Sequence, residues 1–355
     1  MNGVRQSALQ QESAGVRWRE VALFVGLTFA LTWGLDLLLY LASGYGSTAA
    51  MLALQLQMLL PAFSAIILGM FVFKGSPLHV GAGWGRAHWF FGFFLIYTLL
   101  YAALAVGAVA QSEQVSALSM IGFIATEVGL VVAVVVRLIA GSREANRTGL
   151  AFGKPKYWLI FGLGFALYYM LQVGLNYAFG LGHPVDVSPL ASQMGVPAET
   201  FVILAAVQGA LLGPFMGLLI AFGEEYGWRG YLQGELVKLG RARGVLIVGL
   251  IWGLWHAPVI AMGHNYPGYP VLGPILMVAM TVLLAYALGY AVLKTGSVWL
   301  AAFLHAVNNQ VYSFLVGVVH APNDPVFSFG AGLYGLAVGA VVVLLILRDG
   351  VWKEA

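Results

Sequence analysis

The sequence predicts an all-α membrane protein, a polytopic transmembrane helix bundle of about ten spans with both termini on the cytoplasmic side. Three observations predict it. Of 355 residues, 61% are hydrophobic and only 9% are charged, against roughly a quarter charged in a soluble domain. The apolar residues fall in runs of the length that crosses a bilayer, about 20 residues. Backbone in lipid must satisfy its own hydrogen bonds, so such runs become helices. Finally, the Lys and Arg residues occupy alternate loops, as cytoplasmic loops should.

Taken in order, the first run, 21–42, follows a polar stretch, 1–20, that holds Arg5, Arg17 and Arg19. A signal peptide would have a shorter apolar core and a small-residue cleavage site, so this run reads as a retained first helix. Spans follow at 50–73, 89–111, 116–139 and 157–180, with Lys74 and Arg86, then Arg137, Arg143, Arg147, Lys154 and Lys156, at their inner ends. The remaining spans are 200–223, 245–263, 271–293, 297–319 and 327–347. Arg229, Lys238, Arg241 and Arg243, then Lys294, then Arg348 and Lys353 fall on the inner side of these. All 17 basic residues are thereby on one side, and the outer loops carry Glu113, Asp186, Glu199 and Asp324 instead. A wrong helix count would scramble this alternation.

The stretch Arg143 to Lys156 reads as a topogenic inner loop in contact with anionic lipid. Glycine is abundant, at 46 residues, and spacings such as Gly335-x-x-x-Gly339 read as close helix packing. The net charge of +3 is small and scattered, so no nucleic-acid partner is indicated. Cysteine is absent, which excludes a thiol nucleophile, a disulfide framework and thiolate metal sites.

A charge inside a membrane costs about 2.5–3.5 kcal/mol on insertion scales, so intramembrane ionisable residues are the first suspects for function. They are Asp36, Glu127, Glu224, Glu225, His256 and His305. The last four lie in three patterned segments. The first, Gly223-Glu224-Glu225-Tyr226-Gly227-Trp228-Arg229, is placed where span six meets the cytoplasm. On a helix Glu225 and Arg229 pair four apart, while Glu224 is turned about 100° away. With Arg229 at the headgroups, Glu224 lies about 7–8 Å deeper, partly desolvated and suited to a general base. The second segment, Trp252-Gly253-Leu254-Trp255-His256, lies in span seven, and counting puts His256 deeper than the others. Pro258 and nearby glycines can bend that helix. In the third, His305 and Asn309 stand four apart on span nine.

A carboxylate, two imidazoles and an amide suit amide hydrolysis in either of two ways. Glu224 takes a proton from water held by one His, while the other His and Asn309 donate to the oxyanion. Alternatively, Glu224, His256 and His305 hold a zinc ion, as in His2Glu sites. Two further readings belong to other classes. Intramembrane acids and His relay protons in transporters, although here they crowd into one half instead of pairing across repeats. A non-catalytic immunity or scaffold membrane protein would keep the motifs for structure alone. Asp36 reads as helix packing or an outer aqueous pocket, and Glu127 is left open. His79, His88, His183, His264 and His320 carry no assigned role.

The three segments, in order and spacing, resemble the CPBP family, which unites type II CAAX prenyl endopeptidases with bacteriocin-processing and immunity (Abi) proteins. Its pattern is Glu-Glu-x-x-x-Arg, Phe-x-x-x-His and His-x-x-x-Asn/Asp. Glu224-Glu225-Tyr226-Gly227-Trp228-Arg229 and His305-Ala306-Val307-Asn308-Asn309 match in full, and Trp252 replaces the usual Phe four residues before His256. The resemblance covers 200–320, leaving 21–199 as five spans without a motif and 321–355 as the last span and a short cytoplasmic tail. It implies an intramembrane endopeptidase of the prokaryotic plasma membrane, open to the cytosol. Its substrate would be a peptide or a membrane-anchored or lipidated chain. By the resemblance Glu224 is the catalytic carboxylate, His256 positions water, His305 and Asn309 form the oxyanion pair, and Glu225 and Arg229 support them. The family has been described both as metalloprotease and as metal-free glutamate protease.

Overall fold

The computed structural model describes residues 15–42, 45, 49–110 and 114–353. Arg5 and Glu113, with most of the N-terminal tail, lie outside the described residues.

The chain is a helical bundle with one two-stranded ribbon. Five long helices come first: α1 (Trp18–Ala42), α2 (Ala50–Phe71), α3 (Ala87–Ala110), α4 (Val115–Arg147) and α5 (Pro155–Ala178). Then come α6 (Ala198–Met216), α7 (Leu218–Glu225), α8 (Arg241–Trp255) and α9 (Leu272–Thr295). α10 (Val298–Val319) and α11 (Leu333–Ile346) complete the bundle. Among the described residues eight helices are long and apolar enough to cross a membrane. They match eight of the ten expected spans. The seventh and tenth are helices too, but shorter: α8 has 15 residues and α11 has 14. The expected span 116–139 belongs to a longer helix, α4, broken at Gly141 with φ +73°.

The largest difference lies at span six. The expected helix 200–223 is cut after Met216, and a second helix begins at Leu218. Pro214 has no N–H to donate and crowds the carbonyl four residues back. The chain widens ahead of it into a π-helical turn, Ala206–Leu212. Beyond the break, α7 runs on through a second π-turn, Tyr226–Leu232, and a last α turn, Gln233–Leu236. Residues 224–229 therefore lie within a buried helix and not at its mouth.

Contacts between chain segments define the two ends of the bundle. At one end Arg17 Nε donates to Glu235 at 3.0 Å, Lys238 pairs with Glu235 at 2.9 Å, and Glu144 accepts from the Ala87 N–H at 2.7 Å. Ser297 Oγ donates to the Ala151 carbonyl at 2.8 Å, Lys294 pairs with Asp349 at 2.8 Å, and Arg241 donates to the Val351 carbonyl at 2.7 Å. These are the segments expected to carry the basic residues, so the described basic loops gather at one end. At the other end Tyr45 bonds His264 at 2.6 Å, Tyr269 donates to Asp324 at 2.7 Å, and β1 (Gly182–Pro184) pairs antiparallel with β2 (His320–Pro322). Arg229 is the exception to the loop assignment. It is only 2% exposed, inside the bundle.

Glycines let α7 and α8 sit against their neighbours backbone to backbone. A Cβ on Gly223 would strike the Met58 carbonyl oxygen, and one on Gly227 would lie 2.5 Å from Pro61 Cβ, both on α2. On α8, Cβ atoms at Gly249 and Gly253 would lie 2.7 Å from Val282 Cα and 2.5 Å from Val278 Cα on α9. This is small-residue packing at four-residue spacing. Gly227→Val and Gly253→Val should each destabilise the fold by about 1–3 kcal/mol through overpacking. Gly234→Ala, which meets nothing within 4 Å, should be neutral or slightly stabilising. Thermal unfolding in detergent reads all three.

Candidate active site

Adjacent carboxylates on a helix point in different directions, and α7 uses this. Glu224 and Glu225 are 2% and 0% exposed. The Glu225 carboxylate accepts from Arg229 at 2.9 Å, one helical turn on, and from His305 Nδ1 on α10 at 2.8 Å. Both side chains of the Glu225–Arg229 pair are wholly buried. Glu224 faces the other way and accepts from the Trp252 indole N–H on α8 at 2.7 Å. The Arg229 guanidinium lies 4.1 Å from the centre of the same indole ring. One tryptophan thus touches both the free carboxylate and the cation of the buried pair.

α8 ends at Trp255, and Pro258 opens the short helix Ala257–Ala261. Its missing N–H and its ring prevent α8 from running through. His256 therefore sits in the turn between the two helices. Its Nδ1 lies 2.8 Å from the Trp252 carbonyl, an acceptor only, so Nδ1 carries the proton and Nε2 is left to accept. The Trp255 ring stands edge-on to the imidazole at 4.6 Å and anchors its own N–H on Thr32 of α1 at 2.8 Å.

On α10, His305 is 6% exposed, and its Nδ1 is taken by Glu225. The Asn309 side-chain oxygen accepts from Asn308 Nδ2 at 2.8 Å, which leaves the Asn309 amide NH2 as the open donor. Asn308 is held in turn by the hydroxyl of Tyr169 on α5, a residue 1% exposed.

These side chains meet at a cavity of about 1090 Å³. Glu224, His256, His305 and Asn309 line it, whereas Glu225 and Arg229 do not and stand behind the wall. The N-terminal half adds Gln57 and Met58 of α2 and Thr126 and Glu127 of α4 to the lining. Asp36 is 2% exposed and accepts from Gln57, so it braces this wall from α1. Glu127, left open by the sequence, faces the cavity, and so does His264.

Depth differs from the sequence expectation. Glu224 lies eleven residues before Glu235, which pairs with Arg17 at the basic end. That is about 16 Å from the basic end, instead of the roughly 7–8 Å expected with Arg229 at the headgroups. With Glu224 this deep and α8 broken at His256, the depth mismatch between the segments disappears. Trp252, Asn308 and Tyr169 were not singled out as working residues. Tyr169 carries no local pattern at all, and only the fold brings it to Asn308.

Among the described residues no three His, Cys, Asp or Glu side chains converge as a metal-holding group. Glu224 and His256 each use one atom on Trp252, and His305 uses Nδ1 on Glu225, which leaves one Glu224 oxygen and the Nε2 of each imidazole open.

Comparison with known proteins bears on the same segment. Residues 206–311 match the Rce1-like family, described as type II CAAX prenyl endopeptidase Rce1-like. The match contains Glu224, Glu225, Arg229, His256, His305 and Asn309. A CAAX prenyl protease 2 from Methanococcus maripaludis is 38% identical over 53 residues, 15% of this chain and 20% of that protein. The chain therefore aligns with only a fifth of that relative's length. No solved structure matches.

Proposed function

From the match of residues 206–311 to the Rce1-like type II CAAX prenyl endopeptidases, we propose that this multi-pass membrane protein is an intramembrane endopeptidase. It hydrolyses a peptide bond of a membrane-associated or lipidated chain from the cytosolic side. One observation carries the reading. A buried carboxylate, a positioned imidazole and two side chains with open donor edges line one cavity inside a membrane bundle.

In the proposed reaction one Glu224 oxygen stays with the Trp252 N–H and the other takes a proton from water. His256 Nε2 accepts from that water and holds it in line. The resulting hydroxide adds to the scissile carbonyl carbon. His305, carrying a proton on each ring nitrogen so that Nδ1 serves the Glu225 carboxylate and Nε2 can donate, and the Asn309 NH2 donate to the oxygen that becomes negative. Glu224 then returns its proton to the leaving nitrogen, the C–N bond breaks, and a carboxylate and an amine depart. Glu225 and Arg229 hold His305 and Trp252 in place without touching substrate. No step runs through a metal, and activity should survive a strong chelator unchanged.

The test compares protein termini in cells carrying the wild-type chain with cells carrying Glu224→Gln at matched abundance. Termini that depend on Glu224 are expected. Coincident profiles from a correctly inserted variant would overturn the proposal.

Trp252→Phe isolates one hydrogen bond while keeping the ring over Arg229. Hydrogen bonds to charged groups are worth about 1.5–3 kcal/mol. On a Glu224-dependent peptide, kcat should fall about ten- to a hundredfold while KM stays put. An equal rise in KM would mean that Trp252 shapes the cavity instead.

A further inference from the structure

A second cavity, of about 460 Å³, lies at the basic end of the bundle, apart from the first. Three cations from three segments line it: Arg137 of α4, Lys154 of the α4–α5 loop and Lys294 of α9. Ser142, Asn146 and Tyr157 add polar groups, and no carboxylate lines it. Arg137 is 7% exposed, its Nε donates to the Leu150 carbonyl at 2.9 Å, and its guanidinium lies 4.4 Å from the Phe152 ring centre. These contacts fix the plane of the group. They leave its two terminal nitrogens without a protein acceptor among the described residues. Lys294 is paired with Asp349, whereas Arg137 and Lys154 have no acidic partner among the described residues.

A buried guanidinium without a counterion is costly inside a membrane protein. The helix α5 starts at the same place. Lys154 is its N-cap residue and forms no side-chain cap, so the positive end of a 24-residue helix adds to the field. The depth is also informative. The cavity lies where α4 and α9 end and α5 begins, at the level of the basic loops, which is where lipid headgroups would lie.

We infer that this cavity is a binding site for a phosphate group, supplied by the headgroup of an anionic membrane lipid. The planar Arg137 fork takes two phosphate oxygens, Lys154 supplies a point charge, and Ser142 and Asn146 suit the remaining polar atoms of the headgroup. The loop that forms one wall is tied to the start of α10 by Ser297 on Ala151. A bound headgroup would therefore brace the helix that carries His305 and Asn309.

The experiment uses the full chain in phosphatidylcholine nanodiscs, with and without phosphatidylglycerol, and inorganic phosphate as a separate addition. Phosphatidylglycerol should raise the unfolding temperature, and one molecule should stay bound in native mass spectrometry. Near a membrane surface each Lys or Arg is worth about 1 kcal/mol toward anionic lipid. Lys154→Gln should thus weaken retention about fivefold, and Arg137→Gln by at least as much. Arg143→Gln, an exposed cation of the same end outside the cavity, should leave retention intact. Lys154 is exposed, so its variant stays folded even where that of Arg137 does not. Equal loss in Arg143→Gln, or none in Lys154→Gln, would replace the site by diffuse surface attraction. Protection by inorganic phosphate equal to that by the lipid would reassign it to the free anion. Each readout is binding, so the result stands apart from whether the chain cleaves peptides.

Discussion

Glu224→Gln is expected to abolish turnover in the purified protein, by about 10²–10⁴-fold in kcat, the contribution of a positioned general base. The substitution keeps size and shape. Its amide oxygen can still accept from the Trp252 N–H, now 2.7 Å from the Glu224 carboxylate. It also removes one of two neighbouring buried carboxylates, so stability should hold or rise slightly. Loss of cleavage with an unchanged unfolding temperature is therefore the specific outcome. Cleavage at the wild-type rate would remove Glu224 from the reaction altogether. The paired control is Glu225→Gln, which faces Arg229 and His305 instead of the cavity. It should lower both activity and stability, because it disturbs a wholly buried ion pair.

The helical class and most of the spans were legible because membrane helices announce themselves by length and composition, and the basic residues check the count independently. Interruptions were less legible. Pro214 and Pro258 are plain in the sequence, but propensity does not say that the chain will break after Met216 and resume at Leu218, or stop α8 at Trp255. The misplaced end of span six followed from reading Arg229 as an interfacial anchor. Its charge was visible, but the Glu225 and Trp252 that bury it come partly from another helix. The pairing of Glu225 with Arg229 was legible because it is local, four residues apart. The link from His305 to Glu225 spans 80 residues and was not. Trp252 is the instructive residue. Read as one aromatic in place of another, it keeps the packing, yet its indole N–H adds a bond to Glu224 that a phenyl ring cannot make. Gly223, Gly227, Gly249 and Gly253 sit within or beside the motifs, and only the neighbouring backbones of α2 and α9 explain why no side chain fits there.

Arg229→Met should be among the most damaging single changes in the molecule. Both members of the Arg229–Glu225 pair are 0% exposed, and removing one partner of a buried pair costs about 3–5 kcal/mol because the other charge is stranded. Here the stranded group would be Glu225, left with His305 as its one hydrogen-bond partner among the described residues. The Trp252 ring would also lose the cation beside it, freeing the indole that holds Glu224. Unfolding of Arg229→Met in detergent should therefore come at much lower temperature, with activity lost even where some fold remains. Arg229→Lys keeps the charge but lacks the planar fork that both pairs with a carboxylate and stacks on an indole, so it should recover stability only in part. The decisive variant is the double change Glu225→Gln with Arg229→Met. It removes both charges, so its stability should exceed that of Arg229→Met alone, while activity stays low because His305 has lost its anionic anchor. A double variant no more stable than Arg229→Met would mean that Arg229 acts through packing on Trp252, and that its charge contributes little to the fold.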